Sequence, residues 1–154
     1  HSNGATGMAI LRRDGFASMS TTGEGSLTTR PVTFTGKYLF VNVDCPSGEL
    51  KVEILDKNNK VIDDLSADKC KAVSIDSTIQ QIEWNGSSDL SSLVGQEVKF
   101  RFKLKNGDLY AFWVSPSTNG ESNGYVAGGG PGYISNKDTE GKKAYEQASG
   151  LQKF

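Results

Sequence analysis

The chain contains a single histidine, and it is the first residue, His1. Ser-His-Asp and Cys-His nucleophile schemes need an imidazole beside the nucleophile, so both are removed. Zinc and iron sites built on imidazole go with them. Cysteine is nearly as scarce. Cys45 and Cys70 are too few for a disulfide scaffold or a four-ligand zinc site. One bridge between them would suit an exported protein, and two buried thiols would suit as well. A net charge of −1 gives no cationic surplus for nucleic acid or an acidic membrane. No apolar run approaches the roughly 18 residues a membrane span requires, and no long stretch has helical period.

What is present reads as all-β. Glycine supplies 18 of 154 residues, and Thr, Val, Ile and aromatics recur in short runs between turn residues, a composition of many short strands. Residues 1–115 are expected to form an antiparallel two-sheet β-sandwich, with 1–7 a leader or tagging remnant. Strands are expected over 8–12, 16–20, 27–34, 38–44, 50–55 and 79–84, with 23–26 a loop and Pro31 marking an edge or bulge. In 38–44, Leu39, Val41 and Val43 point inward. In 50–55, Leu50, Val52 and Ile54 do. One helical turn fits 87–95, capped by Ser88 or Asp89 and stopped by Gly95.

The clearest local signal is EVKFRFKLKNGDLYAFWVS at 97–115. Asn106 followed by Gly107 between two alternating runs predicts a two-residue hairpin. One face would carry Val98, Phe100, Phe102, Leu104, Leu109, Ala111 and Trp113 as core. The other would mix Lys99, Arg101 and Lys103 with Tyr110, Phe112 and Val114. A solvated face should be plainly polar, so this mixture marks either a recognition surface or a face covered by another segment.

Residues 116–154 change character to Gly, Ser and Asn. Their run Gly128, Gly129, Gly130 lacks the strand and helix that flank a phosphate loop. Tyr125, Val126, Tyr133 and Ile134 are expected to anchor this segment on the sandwich as far as about residue 139. Beyond it lies a weakly helical piece at 142–148 and a disordered end.

Chemistry is thin. The Asp side chains mostly sit in turns, where they bond their own backbone, and calcium has only weak candidates in Asp56, Asn58, Asn59, Asp63 and Asp64. No other cofactor is expected. Recognition remains: aromatic rings stack on sugars, while Arg reads carboxylate or sulfate. The candidate binding residues are Arg12, Arg13 and Asp14 beside Phe16, then Trp84, Arg101, Lys103, Tyr110 and Phe112. Trp84 and Trp113 suit a core position better than a platform, and a lone Arg commonly pairs with a nearby Asp.

LRRDGFASM at 11–19, GSLTTRPVTFTGKYLFVNVD at 25–44, GELKVEILD at 48–56 and DLSSLVGQEVKFRFKLKNGDLYAFWVS at 89–115 follow one another in order. Together they resemble the C-terminal β-sandwich of bacterial five-bladed β-propeller proteins of the invertase-like and sialidase-like glycoside hydrolase group. GYVAGGGPGY at 124–133 extends the likeness more weakly. The resemblance implies a jelly-roll-type β-sandwich as an exported accessory domain (secreted, periplasmic or at the cell surface), with catalysis carried by the propeller. Cys45 stands where that group has a small residue. The expected function is therefore a non-catalytic carbohydrate-binding module that tethers a hydrolase to polysaccharide, with Arg12 and Arg13 favouring an anionic or sulfated one. The rival is a structural sandwich that packs on the propeller and binds no sugar. The partners expected are a polysaccharide and the catalytic domain of the same parent, with no nucleic acid or membrane, and a monomeric state.

Overall fold

The computed structural model describes residues 4–7, 11–87, 89–126 and 132–151. Five strands are formed: β1 (Met19–Thr28), β2 (Tyr38–Asp44), β3 (Glu49–Leu55), β4 (Asp76–Gln81) and β5 (Lys99–Ser115). Two 3-10 turns (Asp63–Leu65 and Ser91–Leu93) and a helix, α1 (Lys143–Leu151), complete the regular structure. All strands join one antiparallel sheet of order β1-β5-β2-β4, with β3 also paired to β5. No helix among the described residues is long and apolar enough to cross a membrane.

β5 is the axis of the sheet, and it is not a hairpin. Among the described residues it pairs with β1, β2 and β3, never with itself. β3 lies along its first half, with Glu49 opposite Lys105, and β2 along its second, with Asp44 opposite Asp108. β2 and β3 thus behave as one interrupted strand, with residues 45–48 set against Asn106 and Gly107. β1 runs along the other edge, from Thr28 opposite Arg101 to Met19 opposite Leu109. The Asn and Gly serve a corner instead of a loop. Asn106 has φ 45°, and a Cβ on Gly107 would lie 2.6 Å from the Asp44 carbonyl oxygen. A Cβ on Gly48 would lie 1.8 Å from that of Lys105. The local chemistry that suits a tight turn also suits a sharp bend, and pairing on both edges selected the bend.

The bend folds the sheet over on itself. Phe102 and Phe112 are ten residues apart in one strand, which would separate them by about 33 Å if it were straight. Their ring centroids are 5.0 Å apart. The all-β antiparallel, sandwich-like character expected from the sequence is observed, but in place of the two sheets of a jelly roll the described strands form one sheet, whose two arms make the layers. Between them lie Leu39, Val41 and Val43 of β2, Leu50, Val52 and Ile54 of β3, and Phe100, Phe102, Leu104 and Leu109 of β5.

A bulge corrects the second arm's facing. Val43 pairs with Leu109 and Asn42 with Ala111, so Tyr110 has no opposite residue. One extra residue reverses the alternation. Phe112 and Val114 therefore pack against the core, while Trp113 stacks on Phe40 at 5.7 Å on the outer face. The expected inward Trp113 and outward Phe112 are exchanged.

The first strands also differ. Residues 23–26, expected as a loop, lie inside β1, which bulges between Thr21 and Glu24 and ends at Thr28. Residues 16–18 precede it, and Pro31 sits in the connection that follows. Of the strand expected at 8–12, residues 8–10 lie outside the described residues, and Leu11 and Arg12 are not strand. The turn near residue 90 is present, with Asp89 Oδ1 accepting the Ser91 N–H at 2.9 Å and Gly95 at φ 74°. Ser88, the other proposed cap, is outside the described residues.

The C-terminal segment covers the outer face of the second arm. Trp113 Nε1 donates to the Gly120 carbonyl at 3.0 Å, and Lys142 Nζ sits 5.2 Å from the Phe40 ring centre. The docked segment continues past Thr139 into α1, where Ala144 is buried. Tyr125 and Ile134 are exposed instead of anchoring it. The glycines at 128–130 lie outside the described residues.

Candidate functional site

Four of the eight candidate binding residues meet on the covered face. Residues 12–15 form a turn in which Gly15 N–H donates to the Arg12 carbonyl at 3.0 Å and Asp14 takes φ 48°. This turn is laid across the sheet by Asn42, whose side chain is 1% exposed. Arg12 Nε donates to Asn42 Oδ1 at 2.6 Å, and Asn42 Nδ2 returns a bond to the Arg13 carbonyl at 2.6 Å. The remaining Arg12 nitrogens reach Asp76 Oδ1 at 2.5 Å and the Val43 carbonyl at 3.0 Å. Its guanidinium carbon stands 4.7 Å from the centre of the Tyr110 ring.

Arg13 points the other way, into the C-terminal segment. It donates to Asp138 Oδ2 at 2.7 Å and to the Tyr145 hydroxyl at 3.3 Å, and lies over the Tyr133 ring at 4.9 Å. Asp14 flanks it at 3.5 Å. Asp138 is fully buried. Its carboxylate also accepts Ser122 N–H at 3.1 Å, Ser122 Oγ–H at 3.0 Å and Gly141 N–H at 2.8 Å. Burial works against its charge, but the Gly141 amide, Arg13 and the Ser122 amide outweigh that and hold the carboxyl below the ordinary aspartate range. Burial also pushes the Tyr133 phenol up to about 12.

The arrangement can hold two ends of a chain together, but it offers no fork to a ligand. All three Arg12 nitrogens are bonded within the protein, as are both terminal nitrogens of Arg13. The sugar-binding geometry expected of Arg12, Arg13, Asp14 and Tyr110 is replaced by an internal staple.

The other four candidates lie elsewhere. Trp84 is in the core and donates from Nε1 to the Val52 carbonyl at 2.9 Å, and Phe112 is turned inward by the bulge. Arg101 and Lys103 sit on the outer face of the first arm, where both bind Glu53, at 2.8 and 3.1 Å. Burial opposes charge on Glu53, yet Lys103 and Arg101 hold its carboxyl below the ordinary range. Beside them an open cleft of about 480 Å³ is lined by Glu24, Ser26, Glu49, Lys51, Lys103 and Lys105. It contains no aromatic ring on which a sugar could stack.

The exposed rings are different ones. Phe16 is 81% exposed and Tyr125 76%. Phe16 follows the Gly15 turn, a position from which a short chain throws its side chain outward. Tyr125 pairs with Lys137, whose ammonium lies 5.4 Å from the ring centre.

Cys45 and Cys70 are free and buried, and burial raises both thiols above their ordinary values, the reverse of an activated nucleophile. Among the described residues no group of three His, Cys, Asp or Glu side chains is arranged to hold a metal ion. Asp56 spends one oxygen on the Asn58 and Lys60 amides, and Asp64 faces Lys69 at 2.7 Å. No family model matches the chain, and neither a curated protein nor a solved structure does.

Proposed function

We propose that this chain is a non-catalytic accessory β-sandwich that packs on another domain of its parent protein, of the exported hydrolase kind its sequence resembles. The observation that carries this reading is the N-terminal ribbon, residues 11–19. Its two arginines are committed inward, while Leu11, Phe16 and Met19 stand 55%, 81% and 58% exposed. Three large apolar side chains on nine residues, with both arginines turned inward, support the reading of a protein contact.

The second reading keeps glycan binding and moves its site. Phe16 and Tyr125 are exposed rings attached, through Arg13 and Lys137, to opposite ends of the Arg13–Asp138 pair, and two such rings would serve as stacking faces. One pair of measurements separates the readings. If the ribbon is a contact, the isolated domain binds an apolar dye or self-associates, and Leu11→Ser with Phe16→Ser abolishes this without lowering the melting temperature. If the domain binds no dye and neutral, uronic or sulfated polysaccharide retards it in affinity electrophoresis, the glycan reading replaces the first.

A further inference from the structure

β1 is an edge strand whose features make it a receiver of another strand. Among the described residues its only strand neighbour is β5. Thr29 N–H donates to the Phe100 carbonyl at 2.9 Å. Hydrogen-bonded pairs alternate along an antiparallel ladder, so Leu27 with Phe102 and Gly25 with Leu104 are the next bonded pairs. The N–H and C=O groups of Glu24, Ser26 and Thr28 then face away from β5. Among the described residues no backbone partner meets them, so they form a row of donors and acceptors along that edge.

Under that edge, on the concave side, is an apolar notch of about 170 Å³ lined by Met19, Thr21, Gly25, Leu27, Phe102, Leu104 and Leu109. The notch exists because position 25 has no side chain. Gly23 lies within the bulge between Thr21 and Glu24, and Gly25 lies just beyond it. Neither has positive φ; the atoms nearest a Cβ on Gly25 would be those of Thr21, at an ordinary 3.4 Å, and one on Gly23 would meet nothing within 4 Å. Glycine inside a strand costs stability and marks a bulge or the close approach of another backbone; beyond the bulge, Gly25 suits the second. On the convex side the cleft presents Lys51, Lys103 and Lys105 with Glu24 and Glu49; Lys103 is paired with Glu53 at 3.1 Å and Lys105 with Glu24 at 3.6 Å, while Lys51 has no ion-pair partner among the described residues.

The geometry points to an extended polypeptide strand as the occupant: it pairs with Glu24, Ser26 and Thr28, inserts an apolar side chain into the notch over Leu104, and turns an acidic side chain toward Lys51. Main-chain bonds supply affinity and the alternating side chains supply selectivity. This surface is recognised by peptide backbone, and so differs in kind from the ribbon contact proposed above, although Met19 borders both.

The test is a nuclear magnetic resonance titration of the whole chain with a synthetic nonapeptide in which valine alternates with glutamate and threonine. Shifts and slowed hydrogen exchange at the amides of Glu24, Ser26 and Thr28 are expected. Gly25→Leu, which fills the notch from within, should weaken binding by about tenfold or more, as loss of a buried anchor does. Ser26→Pro removes an outward N–H without touching the β5 ladder, and should do the same if Gly25→Leu folds poorly. The same peptide N-methylated at alternate residues should not bind. Absence of shifts at millimolar peptide, shifts located elsewhere, or unchanged affinity in a folded variant overturns the proposal. So do concentration-dependent shifts of these amides without peptide, which would make a second copy of the chain the occupant.

Discussion

Arg13 and Asp138 are 125 residues apart in the chain and meet at 2.7 Å. One belongs to the ribbon before the first strand and the other to the segment after the last, so the pair closes the domain around its outer face. Removing the arginine leaves a buried carboxylate with only neutral donors. Arg13→Ala is expected to cost about 3 kcal/mol, read as a lower urea midpoint. Limited proteolysis should then cut first in the C-terminal segment next to the pair, at residues 117–126 or 132–142.

Acid should act through the same group. The Asp138 and Glu53 carboxyls lie below their ordinary values when folded, so the stability they confer is present above the unfolded-state pKa of about 4 and is lost as pH falls through the folded value. The urea midpoint should be level from neutrality to about pH 5 and decline below about pH 4. Asp138→Asn should flatten part of that decline. A decline as steep as in the unaltered protein would remove Asp138 from the account.

At the alkaline end, Tyr133 should ionise late, with its phenol pushed up to about 12. A raised folded-state value means stability present below about pH 10 and lost as pH rises toward the folded value. Absorbance titration near 295 nm should show a late step that Tyr133→Phe removes.

The bulge at Tyr110 makes a prediction of its own. Phe112 rests against Phe100 at 5.7 Å and Phe102 at 5.0 Å, so Phe112→Ala should cost about 3–5 kcal/mol. With unbroken alternation Phe112 would face outward, and the change would cost well under half of that. Calorimetric melting decides between the two.

The corner should be intolerant of side chains. Gly48→Ala places a methyl on the Lys105 carbonyl and Gly107→Ala one on the Asp44 carbonyl, and either should cost about 2 kcal/mol or more, as overpacking does. Asn106→Gly should be nearly neutral, because glycine accepts the positive φ as readily as asparagine. Equal melting temperatures for all three variants would contradict the bent strand.

What could be read from the sequence was the part carried by uninterrupted alternation. Leu39, Val41, Val43, Leu50, Val52 and Ile54 face the core as their spacing requires, and the all-β antiparallel class follows from the same pattern. What could not be read depended on events between strands. A hairpin and a corner ask the same chemistry of Asn106 and Gly107, and only the neighbours along both edges of β5 choose between them. The reversal at Tyr110 comes from a one-residue offset against β2, which leaves no trace in β5 itself. For the candidate site, the sequence singled out Arg12, Arg13, Asp14 and Tyr110 among eight candidates, but neither their meeting nor the residues that occupy them. Asn42, Asp76 and Asp138 come from distant stretches with no motif in common.

The central position of β5 also fixes when this domain can form. β1, β2 and β3 each take their partner from residues 99–115; among the described residues the short ladder between β2 and β4 and single bridges such as Leu50–Val73 and Leu55–Val61 can close earlier. A ribosome therefore releases most of the chain before its sheet has an axis. Pairing across such sequence separations is slow, so the nascent chain spends its synthesis with unpaired strands, and a nascent-chain chaperone that masks residues 19–55 would meet the form most in need of it.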